Sequence, residues 1–345
     1  LKAHRDNAFH EKPDRPRKAI ALISGGLDSA LAIHLVQRQG IDVLAVHFPS
    51  FFSGGDPEAP NSPVQVIARQ LRVPLVIREK GDDFLDIIRN PRYGHGKNIN
   101  PCVDCRIYTL VKARELMEET GSSFLVTGEV VGQRPMSQRR HTMRLIEKQS
   151  GCDGIVLRPL CAKLLPPTEP ELAGMVDRER LLDIQGRGRK VQFALAHEIG
   201  LEGFSAPAGG CLLTDQIYAR RLRDLLDDRP EVSRTELDAL KTGRHVRLRP
   251  GLKIVIGRNQ QENERLETLT QSGVLFEPGD FPGPTVLAQG SPTPEEERII
   301  GSIIRRYTRE SNRGSLVDIR EPGRENRRME VTDVADGDWI ADHMI

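Results

Sequence analysis

Six consecutive residues, Ser24-Gly25-Gly26-Leu27-Asp28-Ser29, constrain this chain more than any other feature. They follow an apolar run, Ala19 to Ile23, and precede Ala30, Leu31, Ile33, His34, Leu35 and Val36, which recur at helical spacing until Gly40. The pattern predicts a strand, a glycine-rich turn and a helix. Glycines leave backbone N–H groups uncovered, serines add hydroxyl donors, and a helix N-terminus adds positive potential, so the turn suits a pyrophosphate group. It lacks the Gly-Lys-Ser/Thr ending of a Walker loop and the Gly-x-Gly-x-x-Gly of a dinucleotide site, which disfavours β-γ hydrolysis and hydride transfer. The alternative is a tight connection in which Ser24 merely caps the helix.

The same alternation continues. Val43 to Phe48 reads as a second buried strand, Val64 to Leu71 as a helix, and Leu75 to Ile77 as a third strand. Ile107 to Glu119 reads as a helix closed by Gly121, Phe124 to Thr127 as a strand running into Gly128-Glu129, and Ile155 to Leu157 as a fifth strand. A helix is expected over Glu169 to Asp177, and the pattern thins beyond Gly186. Strands alternating with helices indicate an α/β parallel sheet whose ligands bind at the carboxyl ends of the strands. We expect a polar arm over residues 1–17, this domain over 18–211, and a smaller α+β domain over 212–345. In the last, Leu212 to Leu226, Pro230 to Leu240, Glu262 to Thr270 and Pro294 to Tyr307 read as helices, and Val246 to Leu248 and Ile254 to Ile256 as strands. With 345 residues, a net charge of +1 and no apolar run of about 18 residues, the chain is expected to be cytoplasmic, with no membrane partner.

Five cysteines are an odd and modest number, which favours metal or redox chemistry over a disulfide framework. Cys102-x-x-Cys105 is compatible with half a zinc site, a redox dithiol or an iron-sulfur anchor, and spacing does not choose among them. Cys211, after Gly209-Gly210, is a third candidate ligand, and His95 could complete a zinc site. Cys152 and Cys161 have no comparable partner and are expected to be small core residues.

The hexapeptide resembles the phosphate loop of the PP-loop ATP pyrophosphatases, the adenine nucleotide alpha hydrolase-like fold, which cleave ATP to AMP and pyrophosphate. Over about residues 18–211 the likeness is to tRNA 4-thiouridine synthetases and related thiouridylases. It is carried by Ser24 to Ser29, Val46-His47-Phe48, Thr127-Gly128-Glu129-Val130-Val131-Gly132-Gln133 and Leu157-Arg158-Pro159-Leu160. The resemblance implies that Ser24, Gly25, Gly26, Asp28 and Ser29 bind the phosphates of ATP, with Asp28 helping to hold Mg2+. It implies that Gly128 and Gln133 lie near the phosphates and His47 and Phe48 near the adenine, although Phe48 on an apolar strand also reads as core. In the iron-sulfur thiouridylases three cysteines so arranged hold a [4Fe-4S] cluster with one iron open to sulfide. The resemblance thus makes Cys102, Cys105 and Cys211 the metal ligands, and Asp28 and Cys211 catalytic. The chain departs from the zinc-finger-bearing 2-thiouridine synthetases, which need more cysteine pairs, and nothing after residue 211 resembles a rhodanese domain. Free sulfide is therefore the expected donor, with a persulfide sulfur carrier as the alternative.

Lys241 to Arg249 is a basic strand segment continued by Lys253 and Arg258. Alternation with Val246 and Leu248 is expected to place Arg247 and Arg249 on one sheet face, a footprint for RNA phosphates, unless this is only a solvated face. Gly251 to Asn263, with Gly283-Pro284, resembles an NFACT-R-like RNA-binding module over about residues 240–320. Aromatics make up only 4% of the chain, so backbone contacts with tRNA should outweigh base stacking. The acidic stretch from Glu330 receives no role, and a homodimer is left open. The resulting expectation is an ATP-dependent tRNA sulfurtransferase. Its rivals are a PP-loop enzyme adenylating a small carboxylate without RNA, and an inactive RNA-binding scaffold.

Overall fold

The computed structural model describes residues 17–205, 211–308 and 314–345. Residues 1–16, 206–210 and 309–313, which include most of the expected polar arm and Gly209-Gly210, lie outside the described residues. The chain divides into two compact units, Leu1–Leu212 and Leu213–Ile345.

The first unit is built on β1 (Lys18–Leu22), α1 (Leu27–Gln37), β2 (Asp42–His47), α2 (Pro63–Leu71), β3 (Leu75–Ile77), α3 (Asp83–Arg89), α4 (Cys102–Glu119), β4 (Phe124–Val126), α5 (Arg140–Ser150), β5 (Val156–Leu157), α6 (Glu169–Leu172) and α7 (Lys190–Glu198). Its five strands are parallel in the order β3-β2-β1-β4-β5. Because successive residues of a strand face opposite ways, Ala19 and Ala21 of β1 meet α1, α2 and α7, while Ile20 and Leu22 meet α4 and α5. Both sheet faces are thereby buried, which is why these strands read as continuous apolar runs. The order reverses between β1 and β4, so the chain leaves these two neighbours in opposite directions and opens a crevice at their carboxyl ends.

Several elements differ in extent from the expectation. The helix α4 starts at Cys102, five residues before Ile107, directly after Pro101 at its N-cap. The helix expected to reach Asp177 ends at Leu172, and Gly174 takes a positive φ of 67°. The helix α7 lies beyond Gly186, in the stretch where the sequence pattern thins.

The second unit contains α8 (Gln216–Asp228), α9 (Arg234–Ala239), β6 (Arg244–Arg249), β7 (Leu252–Ile256), α10 (Gln260–Glu267), β8 (Val274–Pro278), β9 (Val286–Gln289), α11 (Pro294–Arg306), β10 (Leu316–Arg320), β11 (Arg327–Glu330) and α12 (Gly337–Asp342). Its strands form an antiparallel sheet, β11-β10-β8-β9-β7-β6. One face packs on Ile300, Ile303 and Ile304 of α11 and Ile340 of α12, and the other on Ala239 and Leu266. The acidic stretch is part of this unit: Val331 and Ile340 are buried, and Ile345 N–H donates to His245 O at 3.0 Å. No described helix is long and apolar enough to cross a membrane.

Candidate nucleotide site and cysteine cluster

The phosphate loop is shaped by its two glycines. Gly25 has φ +73°, and a Cβ there would come within 2.9 Å of Val64 N, so only glycine fits against the start of α2. Gly26 is the N-cap of α1 and no side chain caps that helix, contrary to the reading of Ser24 as a cap. Ser24 instead braces the turn: its N–H donates to Ser29 Oγ at 3.2 Å, and Ser29 Oγ donates to Gly26 O at 2.8 Å.

The turn after β4 meets this loop directly. A Cβ on Gly128 would lie 2.4 Å from Ser29 N and 2.5 Å from Asp28 C, so the two backbones touch. Gln133 Nε2 donates to Asp28 Oδ2 at 2.6 Å, and Arg189 NH2, at the start of α7, lies 3.1 Å from the same oxygen. Gln192 Nε2 donates to Gln133 Oε1 at 3.3 Å. Ser24 to Ser29, Gly128 and Gln133 are thus one constellation, although the sequence separates Asp28 from Gln133 by 105 positions. His47 ends β2 and its Nδ1–H donates to Ile23 O at 2.8 Å; burial holds its imidazole below the usual pKa. Phe48 is partly buried against the core on the α4 side of the sheet.

Cys102 and Cys105 occupy the first turn of α4. Burial, followed by the neighbouring Cys105, pushes the Cys102 thiol up. Lys80 Nζ donates to Cys105 Sγ at 2.9 Å and lies over the Phe84 ring, 4.5 Å from its centroid. Phe84 packs on Phe52, whose carbonyl accepts from Leu212 N, while Cys211 forms a backbone bridge with Ser53. Cys105 and Cys211 are therefore linked by a short run of contacts through Lys80, Phe84 and Phe52. Three thiols suit iron-sulfur chemistry as a donor set, but among the described residues no three Cys, His, Asp or Glu side chains converge on a metal position. His95 is an unsuitable zinc partner through Nε2, which donates to Ile88 O at 2.7 Å. Cys152 and Cys161 are fully buried.

The predicted cations of the second unit are mostly paired. Arg247 binds Asp224 at 3.0 Å and Asp228 at 2.9 Å, Arg249 binds Glu296 at 2.6 Å, and Arg258 binds Glu262 at 2.9 Å. Arg249 and Arg258 remain about half exposed, at 42% and 50% of their side chains. Lys253 does not face solvent as expected: its side chain is 1% exposed, because β7 is buried along its whole length, with both faces of the sheet covered by helices. The alternation of exposed cations along β6 is also broken by a register shift between Arg247 and Arg249.

The motif reading passed over Arg189, Gln192, Lys80 and the ion-pair network of Glu129 with Arg106 and Arg158. Glu129 and Arg158 carried one signal, charged residues placed directly after strands whose neighbours are all apolar. Arg189 and Lys80 carried none, since each acts on a residue distant in sequence.

Residues 16–163 match the family described as Thiamine biosynthesis protein (ThiI), and residues 243–344 match the NFACT protein RNA binding domain. The tRNA-specific 2-thiouridylase MnmA of Rhizobium etli (strain CFN 42) is 27% identical over 150 residues, 39% of this chain and 36% of that protein. The MnmA of Xanthobacter autotrophicus is 27% identical over 250 residues, 66% of this chain and 59% of that protein. The chain thus spans about a third to three fifths of the length of these relatives. A solved 4-thiouridine synthetase–RNA complex with bound ATP aligns at 23% identity and a TM-score of 0.37, covering 65% of this chain and 53% of that one. The U34-tRNA thiolase NcsA from Methanococcus maripaludis with its [4Fe-4S] cluster aligns at 13% identity and a TM-score of 0.31, covering 65% and 68%. With its loop geometry and these two matches, the chain joins a PP-loop domain of the ThiI type to an NFACT-R_2 domain.

Proposed function

We propose that this chain is an ATP-dependent tRNA sulfurtransferase working in the cytoplasm. The observation that carries the reading is the contact of the Ser24 to Ser29 loop with Gly128 and Gln133 at the crevice between β1 and β4. Open N–H groups at an uncapped helix start, beside a carboxamide and an arginine, suit a phosphate chain. His47 and Phe48, at the end of β2, would border the adenine, and Asp28 would hold Mg2+ on the phosphates.

The reaction balances in two steps. The uridine carbonyl oxygen attacks the α-phosphorus of ATP, forming a P–O bond as pyrophosphate leaves. A sulfur nucleophile then attacks the same uridine carbon, and the C–O bond breaks with departure of AMP, which carries the oxygen away. Cys102, Cys105 and Cys211 are the residues that would hold a [4Fe-4S] cluster, which when bound supplies an iron able to take up soft sulfur. The sulfur comes from sulfide, or from an external persulfide carrier; in the second case the persulfide's attack leaves a mixed disulfide, and a further thiol supplies the two electrons that release the thiouridine, forming a disulfide with the carrier thiol. The exposed Arg249 and Arg258, with Arg247, would contact tRNA phosphates, since an arginine paired on the surface can exchange its carboxylate for a phosphate.

The test is anaerobic purification with assay of iron and acid-labile sulfide, product analysis, and thionucleoside analysis of tRNA from a deletion strain. Pyrophosphate with AMP, and a missing thiouridine, are expected; ADP as the main product or an unchanged thionucleoside profile overturns the reading. Cys102→Ser, Cys105→Ser and Cys211→Ser should each lose iron, whereas Cys152→Ser and Cys161→Ser should keep it. Colourless, active protein with stoichiometric zinc would refute the cluster alone.

A further inference from the structure

We propose that the first turn of α7 forms a second wall of the nucleotide site, on which Arg189 binds the pyrophosphate portion of ATP and steadies it as it leaves. This rests on the adenylating function proposed above.

A phosphate loop without a lysine has to obtain its cation from elsewhere, because the negative charge on pyrophosphate grows as the bond to the α-phosphorus breaks. Arg189 is the side-chain cation that the described structure sets against the loop, 3.1 Å from Asp28 Oδ2, with its side chain only 16% exposed. Its position is fixed by the backbone: Gly186 N–H donates to Val131 O at 2.8 Å, and Gln185 bridges Val131 in parallel. These contacts lay the Gln185 to Arg189 segment along the turn that also carries Gly128 and Gln133. Farther along α7, Ala196 shares the core under α1, which holds the helix in place.

The polar groups in this wall are only half satisfied. Gln192 is fully buried, and its Oε1 has no partner although its Nε2 is bonded to Gln133. Asp28 Oδ1 is likewise buried without a hydrogen bond, while Oδ2 accepts from Gln133 and forms an ion pair with Arg189 NH2 at 3.1 Å. A structural ion pair would be expected to satisfy both carboxylate oxygens, and guanidinium forks do so readily. Here the arginine touches one oxygen and leaves the other as an acceptor for a cation, an arrangement suited to a metal-bound phosphate chain. The planar fork of Arg189 can then hold two oxygens of one phosphate, which a lysine cannot.

Calorimetric binding of ATP, pyrophosphate and AMP to the full chain, with Mg2+ present, tests this. Arg189→Ala should weaken ATP and pyrophosphate by about ten- to a hundredfold and leave AMP within about twofold. Arg189→Lys, which keeps the charge and guards against a folding defect, should lose pyrophosphate affinity by a smaller factor. Equal losses for AMP and pyrophosphate, or unchanged binding of all three in either variant, would overturn the inference while leaving the ATP site of the proposed function standing. Wild-type protein that binds neither ATP nor AMP would remove the proposed function, and this inference with it.

Discussion

Arg158 Nε donates to Glu129 Oε2 at 3.0 Å, with the two side chains only 3% and 5% exposed. Glu129 closes the turn after β4 and Arg158 follows β5, so the pair ties together the ends of two adjacent strands. Arg106 of α4 binds the other Glu129 oxygen at 2.7 Å, and Glu147 of α5 also binds Arg158. Burial alone would raise the Glu129 pKa, but the guanidinium groups of Arg106 and Arg158 outweigh it and bring it down to about 2. Removing the carboxylate leaves Arg158 buried with only one partner, so Glu129→Gln should cost about 3–5 kcal/mol in urea denaturation at pH 7. The sign with pH follows from linkage. A depressed folded pKa contributes stability above the ordinary carboxylate pKa of 4.5 and loses it as pH falls toward about 2. The gap in stability between wild type and Glu129→Gln should therefore narrow across that window; a gap constant with pH would place the cost in packing instead.

Gly128→Ala should damage the nucleotide site more than the fold. The added methyl would meet backbone atoms of Asp28 and Ser29 at 2.4–2.6 Å, and backbone cannot step aside as a flexible side chain can. Overpacking of this kind costs about 1–3 kcal/mol, enough to displace the loop without unfolding the unit. Loss of ATP binding with a cooperative thermal transition retained is expected. Wild-type ATP affinity would show that the contact between the two turns is not needed.

How much of this was legible in the sequence depended on whether neighbours in the chain are also neighbours in space. The β1, loop and α1 succession could be read because strand, turn and helix signals lie within 20 consecutive positions, and parallel strands buried on both faces leave unbroken apolar runs. The meeting of Asp28 with Gln133 and Arg189, or of Lys80 with Cys105, is set by strand order, which no local pattern encodes. The strands β8 and β9 escaped because their apolar runs are only three residues each, Val274 to Phe276 and Val286 to Ala288, followed by Glu277-Pro278 and Gln289. Lys253 misled for the opposite reason: a charged residue beside arginines reads as surface, yet both faces of the sheet at β7 are covered and the strand is buried throughout.

Asp28→Ala should abolish pyrophosphate release while the protein stays folded. Asp28 is 14% exposed and its partners Gln133 and Arg189 border the crevice, so truncation strands no fully buried charge; the loss should be about 1–2 kcal/mol. Activity persisting in this variant would move the metal-binding role elsewhere. A collapse of the thermal transition would show that the Asp28, Gln133 and Arg189 contacts are needed to hold α1 and α7 together.

For the second unit, RNA contacts and buried charge can be separated by experiment. Arg249→Ala and Arg258→Ala should each weaken tRNA binding regardless of sequence and reduce the salt slope by about one unit, whereas Lys253→Met should leave both unchanged. Lys253 Nζ has no hydrogen-bond partner, and the nearest carboxylate, Asp224 Oδ2, is 3.8 Å away. Burial is the main cause that brings its pKa down from 10.5 to about 8. Below about 8 the amine is charged in both folded and unfolded chains, and the folded state bears the full cost of burying it. Between about 8 and 10.5 the unfolded chain binds more protons, so the stability of the wild type should rise with pH in that interval. Met fills nearly the same volume without a charge to bury, so Lys253→Met should be at least as stable at pH 7 and lack the rise. Denaturation midpoints measured from pH 7 to 11 give the comparison. An equal rise in both proteins, or a tRNA affinity that falls with Lys253→Met, would mean that Lys253 reaches solvent and joins the RNA-binding face after all.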